Sequence, residues 1–243
     1  MSKFQKEYFN QIIKLIKNIQ KNQKNKISQA AKLIKKTHEK GGLLYLFGTG
    51  HSHMLTIEAF FRAGGFAGAC PIIDKRIDFT HGARKATNLE RTSKVAEKIL
   101  GKYKFTKKDI FLILSNSGVN QVPVEAALYA KSKGLKIVSI ISYEYSKVAP
   151  LSSLNKRLYE ISDVFIDNHV PAGDALVKIN KNLKVAPGST ITGSFIINSI
   201  LVELAGSLRN KKQIPFYISS NMPNSKDNNL KLINKYSKKI PHL

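Results

Sequence analysis

The sequence predicts an α/β fold, a parallel five-stranded sheet with helices on both faces and further helices at either end of the chain. Three observations predict it. Short apolar runs such as Leu43–Phe47, Asp109–Leu114 and Lys136–Ser142 end in glycine or polar turns and are too short for helices, so they read as strands buried on both faces. Helical patterns alternate with them. A chain of 243 residues buries a full core, so it reads as one α/β domain over residues 41–210, with a helical extension over 1–40 and a C-terminal extension carrying a helix over 211–243.

Phe4, Tyr8, Ile12, Ile16 and Ile19 recur at three- and four-residue steps, and Ile27, Ala30, Ala31 and Ile34 continue the pattern after Asn25. Two lysine-faced amphipathic helices are expected, stopping at Gly41-Gly42. Strand Leu43–Phe47 empties into Gly48-Thr49-Gly50, and a helix from about Ser52 to Arg62 ends at Gly64-Gly65. Phe66–Ile73 is the second strand. Asp74–Asn88 reads as a long polar loop holding Asp78, His81 and Arg84, a length common in functional loops, followed by a helix over Leu89–Leu100.

The third strand, Asp109–Leu114, leads through Ser115-Asn116-Ser117-Gly118 into a helix over Gln121–Lys133. Strand four is Lys136–Ser142, Lys147–Tyr159 is a loop with a short turn, and strand five is Asp163–Asp167. Asn168–Pro187 reads as a second long loop. The apolar run Gly188–Leu208 is long enough for a membrane span, but its serines, threonines and asparagine favour a buried core helix, capped by Ser189 or Thr190. Phe216–Ser219 is a short extended segment and Asn228–Lys239 a last lysine-faced helix.

The formal charge of +24 raises nucleic acid as a partner, so its distribution matters. Residues 1–40 carry 11 Lys against 2 Glu, and residues 209–243 carry 8 Lys and Arg against 1 Asp, which leaves +8 on the middle of the chain. The excess is peripheral, mostly lysine rather than arginine forks, and not interleaved with aromatics, so nucleic-acid binding is not expected as the main function. The single cysteine, Cys70, excludes an internal disulfide and a cysteine metal cluster and fits a reducing compartment. Lysines interrupt every apolar stretch between Met1 and Lys40, so no secretory signal is read, and a cytoplasmic protein without a membrane partner is expected.

Two strand-to-helix turns lie at the carboxyl ends of the parallel strands, where open α/β sheets bind ligands. The first offers Gly48, Thr49, Gly50, His51 and Ser52; the second offers Ser115, Asn116, Ser117, Gly118 and Asn120. Together they present backbone N–H groups, short hydroxyl and amide side chains and two helix starts, a cradle for the phosphate monoester of a small molecule. No organic cofactor is expected: His53 stands where a Gly-x-Gly-x-x-Gly pattern needs its third glycine, and no Gly-Lys-Ser/Thr occurs. His51 and His53, two apart, do not project alike, so no metal is expected either. Acid–base candidates near this edge are Glu58, Glu125, His81, His169 and Asp174. Glu58 sits about two helical turns past His51. Its apolar neighbours are expected to bury it in part and raise its pKa.

The Gly-Thr-Gly turn after strand one, the strand ending Ser115-Asn-Ser-Gly118 and the strand ending near Ser142 resemble, in that order, the SIS (sugar isomerase) domain family over roughly residues 40–210. Phe47-Gly-Thr-Gly-His-Ser-His53 with Phe61-Arg-Ala-Gly-Gly65 is most similar to single-domain SIS proteins that neighbour the N-acetylmuramic acid 6-phosphate etherases and phosphoheptose isomerases. The resemblance implies a flavodoxin-like three-layer αβα sandwich, a homodimer or homotetramer, and a sugar phosphate held by Ser115, Ser117 and Asn120 with Thr49 and Ser52 nearby. It also departs from its neighbours. Glu58 and Arg62 stand where phosphoheptose isomerases carry a His and a Glu, and Ser117-Gly-Val-Asn-Gln replaces the etherases' Ser-Gly-Arg-Thr-Pro. The expected function is binding of a phosphorylated sugar with isomerisation or elimination of an amino-sugar or hexose phosphate; the alternative is a non-catalytic phosphosugar-sensing module.

Overall fold

Five short apolar strands pair in parallel in the computed structural model, which describes residues 1–80 and 82–243. They are β1 (Leu44–Gly48), β2 (Ala69–Pro71), β3 (Ile110–Leu114), β4 (Lys136–Ile141) and β5 (Val164–Asp167), in the order β2-β1-β3-β4-β5. In this flavodoxin-like order the winding reverses between β1 and β3, the switch point at which such sheets open a crevice. β1 and β3 pair from Leu44 with Ile110 to Gly48 with Leu114, so both strands end level and their turns begin side by side.

Alternate strand residues feed two cores, because successive side chains point to opposite faces. Phe47, Phe111 and Ile113 pack with α5 (Val95–Leu100), α6 (Gln121–Ser132), α8 (Leu158–Ile161) and α10 (Ser225–Tyr236). Leu46, Leu112 and Leu114 pack on the other face with α2 (Lys24–Glu39), α3 (His51–Glu58) and α9 (Ser189–Ser207). The result is the expected αβα sandwich. The segment set apart in the sequence as an N-terminal extension is woven into it: α2 buries Ile27, Ala30, Ala31 and Ile34 in the second core, and α1 (Lys3–Asn22) adds Ile19. By length and composition α9 is apolar enough to cross a membrane, yet its Ile196, Ile200 and Leu204 are buried in the same core.

Several boundaries differ from expectation. α3 stops at Glu58 rather than Arg62, where Phe61 takes a left-handed φ of 43°. The second strand shrinks to Ala69–Pro71 because Phe66 bridges antiparallel to Phe216 instead. The expected helix Leu89–Leu100 is split: α4 (Ala83–Leu89), inside the first long loop, ends where that helix was to begin, and α5 starts at Val95. The loop after β4 opens with α7 (Tyr143–Val148). The second long loop holds an antiparallel hairpin of β6 (Ala175–Lys178) and β7 (Lys184–Pro187). His81 lies outside the described residues.

Candidate functional site

The first turn closes tightly because Gly48 has no side chain: a Cβ there would lie 2.5 Å from the Ser52 carbonyl oxygen. Gly50 adopts φ 55°, a left-handed value natural to glycine, and releases His51 and Ser52 into the first turn of α3. In the second turn Ser115 Oγ accepts from the Gly118 N–H at 3.2 Å, and Asn116 anchors on both sides. Its backbone carbonyl accepts from the Ser142 N–H at 2.8 Å and its Oδ1 from Asn168 Nδ2 at 2.9 Å.

A third element completes the edge. The cap of α9 is Asp174, not Ser189 or Thr190 as expected: its Oδ1 accepts from the Gly188 and Ser189 N–H groups at 3.1 and 2.9 Å, and its Oδ2 from Ser189 Oγ at 2.6 Å. Asp174, an acid–base candidate in the sequence, is therefore committed to structure. Gly193, one turn further, allows close approach to α3, since a Cβ there would stand 2.6 Å from Leu55 Cδ1.

These elements enclose one hollow, lined by His51 and Ser52 of the first turn, Ser115 and Asn116 of the second, Asn168 after β5, and Thr190 of α9. It is narrow, about 20 Å³, room for roughly one water-sized group. Asn116 Nδ2 is buried there with no partner among the described residues. The first turns of α3 and α9 both border it, and the partial positive charge of a helix start favours an anion at α3, whereas the start of α9 already holds the Asp174 carboxylate. The hollow presents donors and excludes bulk, which suits the oxygens of an anionic end group.

The other sequence candidates lie around it. Ser117 and Asn120 are half-buried, one step outward along the second turn. Thr49 is buried and turns away from the hollow to donate to Glu90 Oε1 at 2.5 Å. Glu58 is exposed and ion-paired with Arg62, so the partial burial expected for it is not found; the helix ends before its apolar neighbours can enclose it. Glu125 faces α5, its Oε1 accepting from the Lys94 N–H at 2.8 Å and from Gln121 Nε2 at 2.9 Å.

His169 has both ring nitrogens engaged, Nδ1 at 3.1 Å from Asp167 Oδ2 and Nε2 at 3.2 Å from Gln23 Nε2. Burial alone would raise the Asp167 pKa, but hydrogen bonds from His169 and from the Tyr143 N–H outweigh it and hold the carboxyl below its ordinary value. His51 is exposed at the hollow with its ring 4.6 Å from Phe79, whereas His53 is buried and its pKa lowered by that burial. Among the described residues no group of three or more His, Cys, Asp and Glu is placed to hold a metal ion.

Sequence reasoning missed Asn168, Thr190, Gly193 and Glu90. Asn168 carried a usable signal, being the first residue past β5 and so level with the two turns. Glu90 carried none, because a continuous helix over Leu89–Leu100 placed it on no particular face.

Three comparisons bear on this geometry. The SIS domain family model matches residues 7–142. A UPF0309 protein of Geobacillus thermodenitrificans is 38% identical over 240 residues, covering 98% of this chain and 96% of its own. Among solved structures, a phosphoheptose isomerase from Neisseria gonorrhoeae superposes with a TM-score of 0.56 at 15% identity, over 82% of this chain and 95% of that one. A phosphoheptose isomerase from Francisella tularensis gives 0.55 at 14% identity, over 84% and 98%. At such identities the structural likeness establishes the fold.

Proposed function

From the premise that this chain belongs to the SIS domain family, we propose that the hollow seats the phosphate end of a small phosphorylated sugar. The observation that carries the reading is the convergence of both strand-to-helix turns with the start of α9 on one narrow hollow, where the Nδ2 of Asn116 has no partner among the described residues. A hollow of that size takes one oxygen of the phosphate, so the rest of that group and the sugar body lie outward, across His51, Ser117 and Asn120. That the two structural neighbours are named as isomerases of a phosphorylated heptose supports a phosphosugar of this kind.

Isomerisation and elimination both need a base for a proton next to a carbonyl and an acid for oxygen. His51 is the titratable side chain lining the hollow, so it takes the acid–base role there ahead of Glu58, Glu125 and His169, whose partners lie elsewhere. The exposed apolar side chains Met54 and Ile57 on α3 and Ile191 on α9 support a homodimer or homotetramer.

The test is thermal unfolding against a panel of hexose and amino-sugar phosphates. The wild type is expected to be stabilised by at least one member and Ser117→Ala much less; an unmoved wild type across the panel defeats the proposal. Turnover lost in His51→Gln with binding retained assigns His51 its acid–base role. Glu58, exposed and paired with Arg62, and Glu125, engaged with Lys94 and Gln121, do not line the hollow, which favours a second reading, a phosphosugar sensor, that binding without turnover by the wild type would establish.

A further inference from the structure

Asn116 and Asn168 both line the hollow, and an amide side chain has two unlike ends: its oxygen only accepts and its nitrogen only donates. Which end is spent inside the protein decides which is left to a ligand. Asn116 Oδ1 accepts from Asn168 Nδ2 at 2.9 Å, and Asn116 Nδ2 is buried with no partner among the described residues. What orients Asn116 is therefore whatever orients Asn168.

Asn168 is 3% exposed and held on every side. Its own N–H donates to the Ile141 carbonyl at 2.8 Å, and its Oδ1 accepts from the Val170 N–H at 3.0 Å, closing a turn onto the main chain two residues on. That turn closes around His169, whose φ of 57° lies in the left-handed region where His, Asn and Asp are enriched among non-glycine residues. His169 is pinned in turn. Its N–H donates to Asp167 Oδ1 at 2.9 Å, its Nδ1 lies 3.1 Å from Asp167 Oδ2, and its Nε2 lies 3.2 Å from Gln23 Nε2. Gln23, between α1 and α2, accepts from the Asp167 N–H at 3.3 Å with its Oε1, so its nitrogen is the end that meets the imidazole. An amide nitrogen only donates, so His169 accepts at Nε2 and carries its proton on Nδ1, toward Asp167.

The alternative orientations are closed off. Turning Asn168 over would set its NH2 against the Val170 N–H, and turning Asn116 over would set two NH2 groups against each other; either leaves buried donors unpaired.

We infer that Asn168 is a positioning residue that sets the polarity of the hollow. By spending its oxygen on Val170 it presents only a nitrogen to Asn116, which must accept from it and so keeps its own nitrogen for a ligand. The inference rests on the reading of the hollow as the seat of a phosphate oxygen and deepens it: the hollow selects a group that accepts, as a phosphate oxygen does, over one that only donates, as an ammonium does.

The test is Asn168→Asp beside Asn168→Ala, in the full chain. Asp keeps the oxygen that Val170 needs and replaces the nitrogen by a second acceptor, so Asn116 should turn over and donate to it. Side-chain amide NMR signals read this without ligand, those of Asn116 being assigned by their loss in Asn116→Asp and those of Asn168 by their loss in Asn168→Ala. In the wild type Asn168 should show the downfield, hydrogen-bonded NH2 and Asn116 the free one; in Asn168→Asp the Asn116 pair should become the bonded one. Affinity for whichever sugar phosphate stabilises the wild type should fall by about tenfold or more in Asn168→Asp, and by less in Asn168→Ala, where Asn116 is merely released. A residue kept only for its turn gives the opposite order, since Asp retains the Val170 bond, and the Asn116 signal separates a turned amide from repulsion of the anion by the new charge. The inference is overturned if wild-type Asn116 shows the bonded pair, if its signals in Asn168→Asp match the wild type, or if Asn168→Ala weakens binding more than Asn168→Asp. Should Asn168→Asp fail to fold, the wild-type signals still decide it, and a wild type that no sugar phosphate stabilises defeats the reading of the hollow while those signals decide the orientation independently.

Discussion

Asn116, which lines the hollow, spends its carbonyl oxygens on Asn168 and Ser142 and leaves its Nδ2 donor buried with no partner among the described residues. Asn116→Asp replaces that donor with a negative charge in the place proposed for an anion. Stabilisation by a sugar phosphate should then fall by at least about 1.5–3 kcal/mol, the range of a hydrogen bond to a charged group, as read from the ligand-dependent melting shift. Retained stabilisation would remove Asn116 from the site. The residues of both turns were legible because Gly, Ser, Thr and Asn after an apolar strand have a local meaning. Thr49 was legible as a turn residue but not in its direction, since its hydroxyl is oriented by Glu90, 41 positions on, which no local pattern reveals.

At the scale of elements, α9 shows how a distant residue sets a helix start. The sequence offers Ser189 and Thr190 as caps by proximity, but the hairpin β6–β7 brings Asp174 back to the Gly188 and Ser189 N–H groups. That hairpin hid because its strands are only four residues long and the turn between them, residues 179–183, contains neither glycine nor proline. Asp174→Ala should cost about 1–2 kcal/mol, the range of a lost N-cap, measured as a lower denaturation midpoint at constant slope. Because α9 starts at the hollow, weaker sugar-phosphate stabilisation should accompany it; a fall in stability with ligand response intact would confine Asp174 to capping. Gly193→Ala tests the packing of α9 on α3. The new Cβ would meet Leu55 Cδ1 at 2.6 Å, and since Leu55 is buried that overlap should outweigh the roughly 1 kcal/mol that Ala gains over Gly in a helix, for a net cost of about 0.5–2 kcal/mol by the same measurement.

At the scale of the whole molecule, the parallel sheet and its layers were legible because buried strands read as unbroken apolar runs, whereas the strand order and the joining of α1 and α2 to the core depend on contacts far apart in sequence. The same long-range packing fixes the response to acid. His53 lies under the first turn and His38 between α2 and α10, its Nδ1 3.3 Å from Tyr236 Oη. Burial lowers the pKa of both below 6.5, and for His38 the charges of Lys235 and Lys211 add to the effect. A base whose pKa is lowered by folding binds protons more readily when unfolded. Its stabilising contribution is therefore complete above the unfolded value of 6.5 and is lost as the pH falls through and below it. With a formal charge of +24, every proton taken up also adds to self-repulsion. The melting temperature should thus hold from about pH 8 to about pH 7 and decline toward about pH 5, and the double variant His38→Asn with His53→Asn should flatten that decline. A wild-type melting temperature that stays level across the same interval would show that neither imidazole is held neutral by the fold.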